Sequence, residues 1–172
     1  MRRKKMKLII HDLNEMKFES LFPDLPNSYK VVSNDGTIKK CVGCFGCWVK
    51  TPGACVIRDN YGDMGEWLAK SDEVIIISKC FYGGYSPFVK NVLDRSISYI
   101  HPYFETRNNE MHHKKRYNHT FETSVWFYGD DITEDEKATA DKLVIANSIN
   151  MISNIKGLHF VKSVEEIGGG IL

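Results

Sequence analysis

Glu73-Val74-Ile75-Ile76-Ile77-Ser78 is the stretch on which the fold turns. Its four central residues are β-branched and unbroken by any polar position, and the run is too short for a buried helix, so it reads as a strand covered on both faces. Beyond it, Ser86-Pro87 opens a helix, with serine as N-cap and proline at the first helical position. Phe88, Val89, Val92, Leu93, Ile97 and Ile100 then recur at spacings of three and four, enough for one core-facing stripe. A doubly covered strand followed by an amphipathic helix is the repeating unit of a parallel α/β sheet.

The same alternation extends in both directions. Upstream, Lys7 to His11 reads as a buried first strand. A short helix follows around Asn14 to Phe22 and is stopped by Pro23 and Pro26. Tyr29 to Ser33 is a second strand, Asn34-Asp35-Gly36 a turn, and Gly62 to Lys70 a helix. Downstream, residues 101 to 121 lack periodicity and are rich in His, Asn, Arg and Lys, which predicts a long loop. Thr123 to Tyr128 is a fourth strand. Thr133-Glu134-Asp135-Glu136 carries a capping-box pattern for a helix continuing from Ala138 through Ile155, and Leu158 to Val161 is a fifth strand. Right-handed crossovers between five such strands make an α/β three-layer sandwich with a five-stranded parallel sheet in the order 2-1-3-4-5. No final helix follows the fifth strand, so one sheet face is expected to need a partner subunit, as a homodimer or higher homo-oligomer.

Composition bounds what such a domain does. The 172 residues fit one domain, 1–172, and 42% hydrophobic with 26% charged residues is an ordinary globular balance. A net charge of +1 argues against a nucleic-acid partner, because cations are matched by acids. The basic start from Met1 to Lys7 is followed by only Leu8-Ile9-Ile10 before His11, too short for an export segment, and no run approaches the ~18 apolar residues of a membrane helix. A cytoplasmic location without membrane contact is therefore expected. In that setting five cysteines, four of them between Cys41 and Cys55, read as thiol, metal or cluster chemistry rather than disulfides.

Ligands of doubly wound sheets sit beyond the carboxyl ends of the strands, where strand order reverses. After the third strand come Cys80, Phe81, Tyr82, Gly83, Gly84, Tyr85 and Ser86, paired glycines among aromatics. Glycine allows close backbone approach and flat side chains suit a planar ring; the same composition also suits a tight strand-to-helix turn. Tyr128, Gly129 and Asp130 form a second rim, in which acids ahead of a helix can equally serve the helix dipole. Asp94-Arg95 reads as a structural ion pair or interface contact, His159 as a sheet residue, and Trp126 and Phe127 as core or interface.

Cys41-Val42-Gly43-Cys44-Phe45-Gly46-Cys47, Pro52-Gly53-Ala54-Cys55-Val56-Ile57-Arg58-Asp59 and Ser86-Pro87-Phe88-Val89-Lys90-Asn91-Val92-Leu93-Asp94-Arg95 resemble the NADPH-dependent FMN reductase and iron-sulfur flavoprotein group of flavodoxin-like proteins. The resemblance implies FMN at the strand ends, NAD(P)H as co-substrate, a small-molecule electron acceptor and an oligomer. It places the stretch Cys80 to Tyr85 beside the isoalloxazine ring and Tyr128 to Asp130 near it. The spacing Cys41-x2-Cys44-x2-Cys47-x7-Cys55 is similar to the ligand pattern of a four-iron four-sulfur cluster. Tetrahedral zinc and metal-free thiols remain alternatives at the same residues.

Two features depart from that pattern. Such proteins hold the FMN phosphate in a Ser/Thr/Gly/Asn-rich loop after the first strand, whereas His11-Asp12-Leu13-Asn14-Glu15-Met16 has no Gly, Ser or Thr and carries two acids. A carboxylate ~4 Å from a phosphate costs on the order of several kcal/mol at intermediate dielectric. FMN is then expected to bind weakly or to have its phosphate met elsewhere; His112-His113-Lys114-Lys115-Arg116-Tyr117 is a candidate substitute, and the same residues also read as a solvated basic loop. The other departure is the missing final helix. The expected function is an FMN-dependent oxidoreductase, and the rival is a binding or regulatory module that kept the fold and lost tight flavin binding.

Overall fold

Seven strands and five helices organise the chain in a computed structural model that describes residues 5–171, so the head of the basic start, residues 1–4, and residue 172 lie outside it. The strands are β1 (Lys7–His11), β2 (Tyr29–Val32), β3 (Glu73–Lys79), β4 (Ile100–Arg107), β5 (Glu110–Lys115), β6 (Glu122–Tyr128) and β7 (Asn154–Val161). The helices are α1 (Glu15–Leu21), α2 (Gly46–Val49), α3 (Met64–Lys70), α4 (Pro87–Arg95) and α5 (Glu134–Met151). The main sheet is parallel with order β2-β1-β3-β6-β7, the predicted 2-1-3-4-5 order once the hairpin β4–β5 is set aside.

Each central strand feeds two cores because successive side chains point to opposite faces. Leu8, Ile10, Val74, Ile76, Val125 and Phe127 meet α3, α4 and α5 on one face. Ile9, Ile75, Ile77 and Trp126 meet Leu13 and Phe22 on the other. Val74 through Ile77 are all within 4% of full burial, as an unbroken β-branched run requires. Ser86 caps α4 with its side chain accepting from Val89 N–H, and Thr133 and Glu136 close a reciprocal capping box on α5.

Four expectations change. Residues 101–121 are not a structureless loop: β4 and β5 pair antiparallel across Asn108-Asn109, both at positive φ (52° and 65°), the geometry of a two-residue hairpin turn. The hairpin was hidden because it leaves Tyr103, Phe104 and Met111 exposed, so no buried period marks its strands. Helix α5 stops at Met151 rather than Ile155, since Ile152 adopts a left-handed conformation (φ 56°) and Asn154 already belongs to β7. The α4 stripe is shorter than its periodicity, with Ile97 in a 3-10 turn and Ile100 opening β4. The second sheet face is covered despite the missing helix: 3-10 turns over Val164–Glu166 and Gly168–Gly170 bring buried Ile167 and Ile171 into the Trp126 core. A Cβ on Gly170 would stand 2.5 Å from the Trp126 ring, so this closure needs glycine.

Candidate functional site

At the carboxyl ends of β1, β3 and β6 one side chain ties three strands together. Asp12, the first residue past β1, accepts the Lys79 backbone N–H at 2.9 Å and the Tyr128 hydroxyl at 3.0 Å. Burial and then Asp12 itself push the Tyr128 hydroxyl up, so it remains a donor. Cys80 N–H donates to Tyr128 carbonyl at 3.0 Å, joining the two predicted rims, and Gly129 N–H continues the ladder to Val161. Sequence reasoning noted Asp12 only as an unfavourable acid; its role as a knot needs strand register, which local sequence does not encode.

Phe81 to Gly84 form a two-residue turn in which Phe81 and Gly84 exchange both backbone hydrogen bonds (3.0 and 2.8 Å). Tyr82 (φ 51°) and Gly83 (φ 76°) sit at its tip. The turn is pinned to α5, because a Cβ on Gly83 would lie 2.7 Å from the Glu136 carbonyl and Glu136 also accepts the Tyr82 N–H. Gly83 therefore serves backbone packing. The flat side chains face outward, Phe81 42% and Tyr82 90% exposed. Burial pushes the half-buried Cys80 thiol up, keeping it protonated.

Cys80, Phe81, Tyr82, Tyr128 and Gly129 thus come together with Asp12 at the strand ends, and Asp130 lies exposed just beyond. Tyr85 and Ser86 turn inward. Tyr85 stacks on Phe127 (5.2 Å) in the core, and burial pushes its hydroxyl up to about 12. Ser86 caps α4 and donates its N–H to Ser78 Oγ at 2.8 Å.

The cysteine loop forms a separate centre against the last turn of α4. Cys41, Cys44, Cys47 and Cys55 all border one cavity of about 40 Å³, together with Arg95. That is room for a water or two. None of the five cysteines is joined in a disulfide, and Cys41 and Cys44 are exposed while Cys47 is buried. Burial and then the neighbouring cysteines push the Cys47 thiol up. Among the described residues no three metal-ligating side chains already converge on a metal position.

Arg95, whose side chain is fully buried, holds this loop. Its guanidinium meets Asp59 through two bonds (2.7 and 2.8 Å), the Lys39 carbonyl at 2.8 Å, and Cys55 Sγ from Nε at 3.2 Å. Those hydrogen bonds hold Asp59 down at about 2. The predicted Asp94-Arg95 pair is instead two pairs, since Asp94 bonds Lys90 one turn back.

The basic segment His112 to Tyr117 is not near the strand ends. Arg107 donates to the Ile149 carbonyl and His112 bonds Asn150, both in the last turn of α5. Helix α5 carries the chain from the carboxyl end of β6 to the amino end of β7, and its 18 residues span about 27 Å. Within one copy of the chain the hairpin therefore cannot meet a phosphate at Asp12.

This fold is the flavodoxin-like α/β class, with its ligand position at the β1/β3 crossing. No protein-family model matches the chain. An iron-sulfur flavoprotein of Archaeoglobus fulgidus is 33% identical over 72 residues, 42% of this chain and 32% of that protein, so the match spans about a third of the relative. Among solved structures, an azoreductase of Bacillus anthracis str. Sterne aligns with a TM-score of 0.54 at 8% identity over 95% of this chain and 89% of that one. General stress protein 14 of Treponema denticola, in complex with FMN, aligns at 0.52 with 9% identity over 96% and 90%. At such identities the likeness is one of fold.

Proposed function

We propose that the chain is a flavin-dependent oxidoreductase of the FMN-reductase kind, drawing on NAD(P)H and acting on a small electron acceptor such as a quinone. The observation that carries this reading is the outward pair Phe81 and Tyr82, on a turn fixed at the head of the central strand beside Tyr128. The FMN-bound fold neighbour, the azoreductase and the iron-sulfur flavoprotein relative support it.

The residues fit a flavin ring and do not fit its phosphate in the β1–α1 loop. Phe81 and Tyr82 offer flat, exposed side chains to a ring with the protonated Cys80 thiol beside them, whereas Asp12 puts a carboxylate where a phosphate would enter. When bound, an isoalloxazine supplies hydride acceptance and release. The chain's own share is orientation: Glu136 and Gly83 lock the turn, and Asp12 locks the three strand ends. The test is a spectrum of protein purified without air, followed by NADH or NADPH and a quinone. A flavin chromophore bleached by the nicotinamide and restored by the quinone supports the reading; no flavin bound or taken up removes it.

The same Asp12 favours a second reading, a flavodoxin-fold binding or regulatory module without tight flavin binding. Flavin fluorescence left unquenched at micromolar protein would establish it.

For the four cysteines the donor chemistry suits a four-iron four-sulfur cluster or zinc; the cavity must open to admit a cluster, and the thiols must converge to bind zinc. Iron and acid-labile sulfide in anaerobic protein decide among cluster, zinc and free thiols. A reducing, cytoplasmic setting is part of the same proposal, on the cluster-like spacing of the cysteines; no described helix is long and apolar enough to cross a membrane.

A homodimer is part of the same proposal, on different grounds from an uncovered sheet. Val42, Phe45, Val49, Tyr103, Phe104 and Met111 are each more than half exposed. Trp48 and His113 join the two loops that carry them, through ring contacts of 5.3 Å to Phe45, 4.9 Å between each other and 4.5 Å to Phe104. Exposed apolar side chains gathered on one surface rather than scattered singly mark an interaction site, and an isolated two-stranded hairpin is marginal without a cover.

A further inference from the structure

We infer that the strand-end site selects a flavin without a phosphate, riboflavin rather than FMN, and that Asp12 sets this selectivity. The inference rests on the flavin reading above and narrows its ligand.

Phosphate sites after a first strand work because backbone N–H groups at the strand end and helix start are free to face the anion. Here three of those donors are spent on the chain itself. Asp12 N–H goes to the Ile77 carbonyl at 3.3 Å, Lys17 N–H to the Asn14 side chain at 2.8 Å, and Lys79 N–H to the Asp12 carboxylate at 2.9 Å. The link from β1 to α1 is only Asp12 to Asn14, too short to curl around a phosphate group. Helix α1 then begins with exposed Glu15, a second negative charge at the place an anion would occupy. Beyond β6, Asp130 and Asp131 are exposed as well. Of the cations nearby, Lys17 in the first turn of α1 is paired with Glu165, and Lys79 directs its Nζ toward the Phe81 ring, 5.8 Å from the centroid.

A neutral polyol has the complementary chemistry. Riboflavin ends its ribityl chain in hydroxyls, which donate hydrogen bonds. The Asp12 carboxylate already accepts two and retains lone pairs for more. Adding a phosphate to that chain replaces a donor with an anion facing an anion. At separations near 4 Å this repulsion amounts to a preference for riboflavin of roughly tenfold or more.

The test is flavin fluorescence quenching by the full-length protein, titrated with riboflavin and with FMN, for wild type and Asp12→Asn. The asparagine amide can still accept from Lys79 N–H, and the Tyr128 hydroxyl can rotate to accept from its NH2, so the strand knot keeps a hydrogen-bonded form without the charge. A thermal unfolding midpoint near wild type confirms that the variant folds, and Glu15→Gln gives a second charge removal outside the knot. Expected are a riboflavin Kd at least about tenfold below that of FMN in wild type, a ratio within about threefold in Asp12→Asn, and a smaller shift in Glu15→Gln. FMN binding as tightly as riboflavin to wild type overturns the inference and leaves the flavin reading intact. A riboflavin preference that survives Asp12→Asn unchanged overturns the role of Asp12. Binding of neither flavin overturns the inference together with the reading beneath it.

Discussion

His11 shows how a single side chain couples burial to pH. It is 1% exposed and stacks face to face on Phe18 at 4.0 Å, and burial lowers its imidazole to about 4 from an ordinary 6.5. The unfolded chain therefore binds the proton more readily, so stability from this group is fully present above pH 6.5 and is lost as pH falls toward 4. The shift corresponds to about 3 kcal/mol across that window. His11→Phe should flatten the acid limb of a denaturant-midpoint profile between pH 6.5 and 4; an unchanged limb would show that other groups govern acid unfolding.

At the scale of elements, the cysteine loop is held by an ion pair rather than by its own cysteines. Removing the guanidinium with Arg95→Met leaves Asp59 buried without its cation, a loss of roughly 3–5 kcal/mol. The number of thiols reacting rapidly with a thiol reagent should rise as Cys47 and Cys55 become accessible. Unchanged stability and labelling would mean that the loop stands without Arg95.

The main strands and their helices were legible because apolar period, caps and prolines act locally: β1 and α4 begin where Lys7 and Ser86-Pro87 indicate. The hairpin β4–β5 was not, since its exposed aromatics mask any alternation. The end of α5 was not either, because Ile152 bends the chain against its own preference while apolar residues run on. At the candidate site the sequence identified the Cys80 to Gly84 turn and the Tyr128 rim. It missed that Asp12 binds both and that Arg95 reaches Cys55, contacts separated by 116 and 40 residues.

For the whole molecule, a parallel sheet of flavodoxin order brings the ends of β1, β3 and β6 to one edge, while the cysteine loop and hairpin build a separate apolar surface. If that surface is a self-contact, sedimentation gives a dimer, and Phe104→Glu, at a side chain 56% exposed, shifts it to monomer without lowering the unfolding free energy of the monomer by more than about 0.5 kcal/mol. A wild-type monomer at tens of micromolar would refute the dimer.

The claim that a flat redox ring rests on the turn after the central strand is tested most directly by flavin quenching with Tyr82→Ala. Tyr82 is 90% exposed and contributes nothing to the core, so folding should be untouched. Loss of one stacking face should weaken riboflavin binding by about tenfold, on the order of 1–3 kcal/mol. Flavin bound as tightly by the variant as by wild type would place the ring somewhere else and contradict the site.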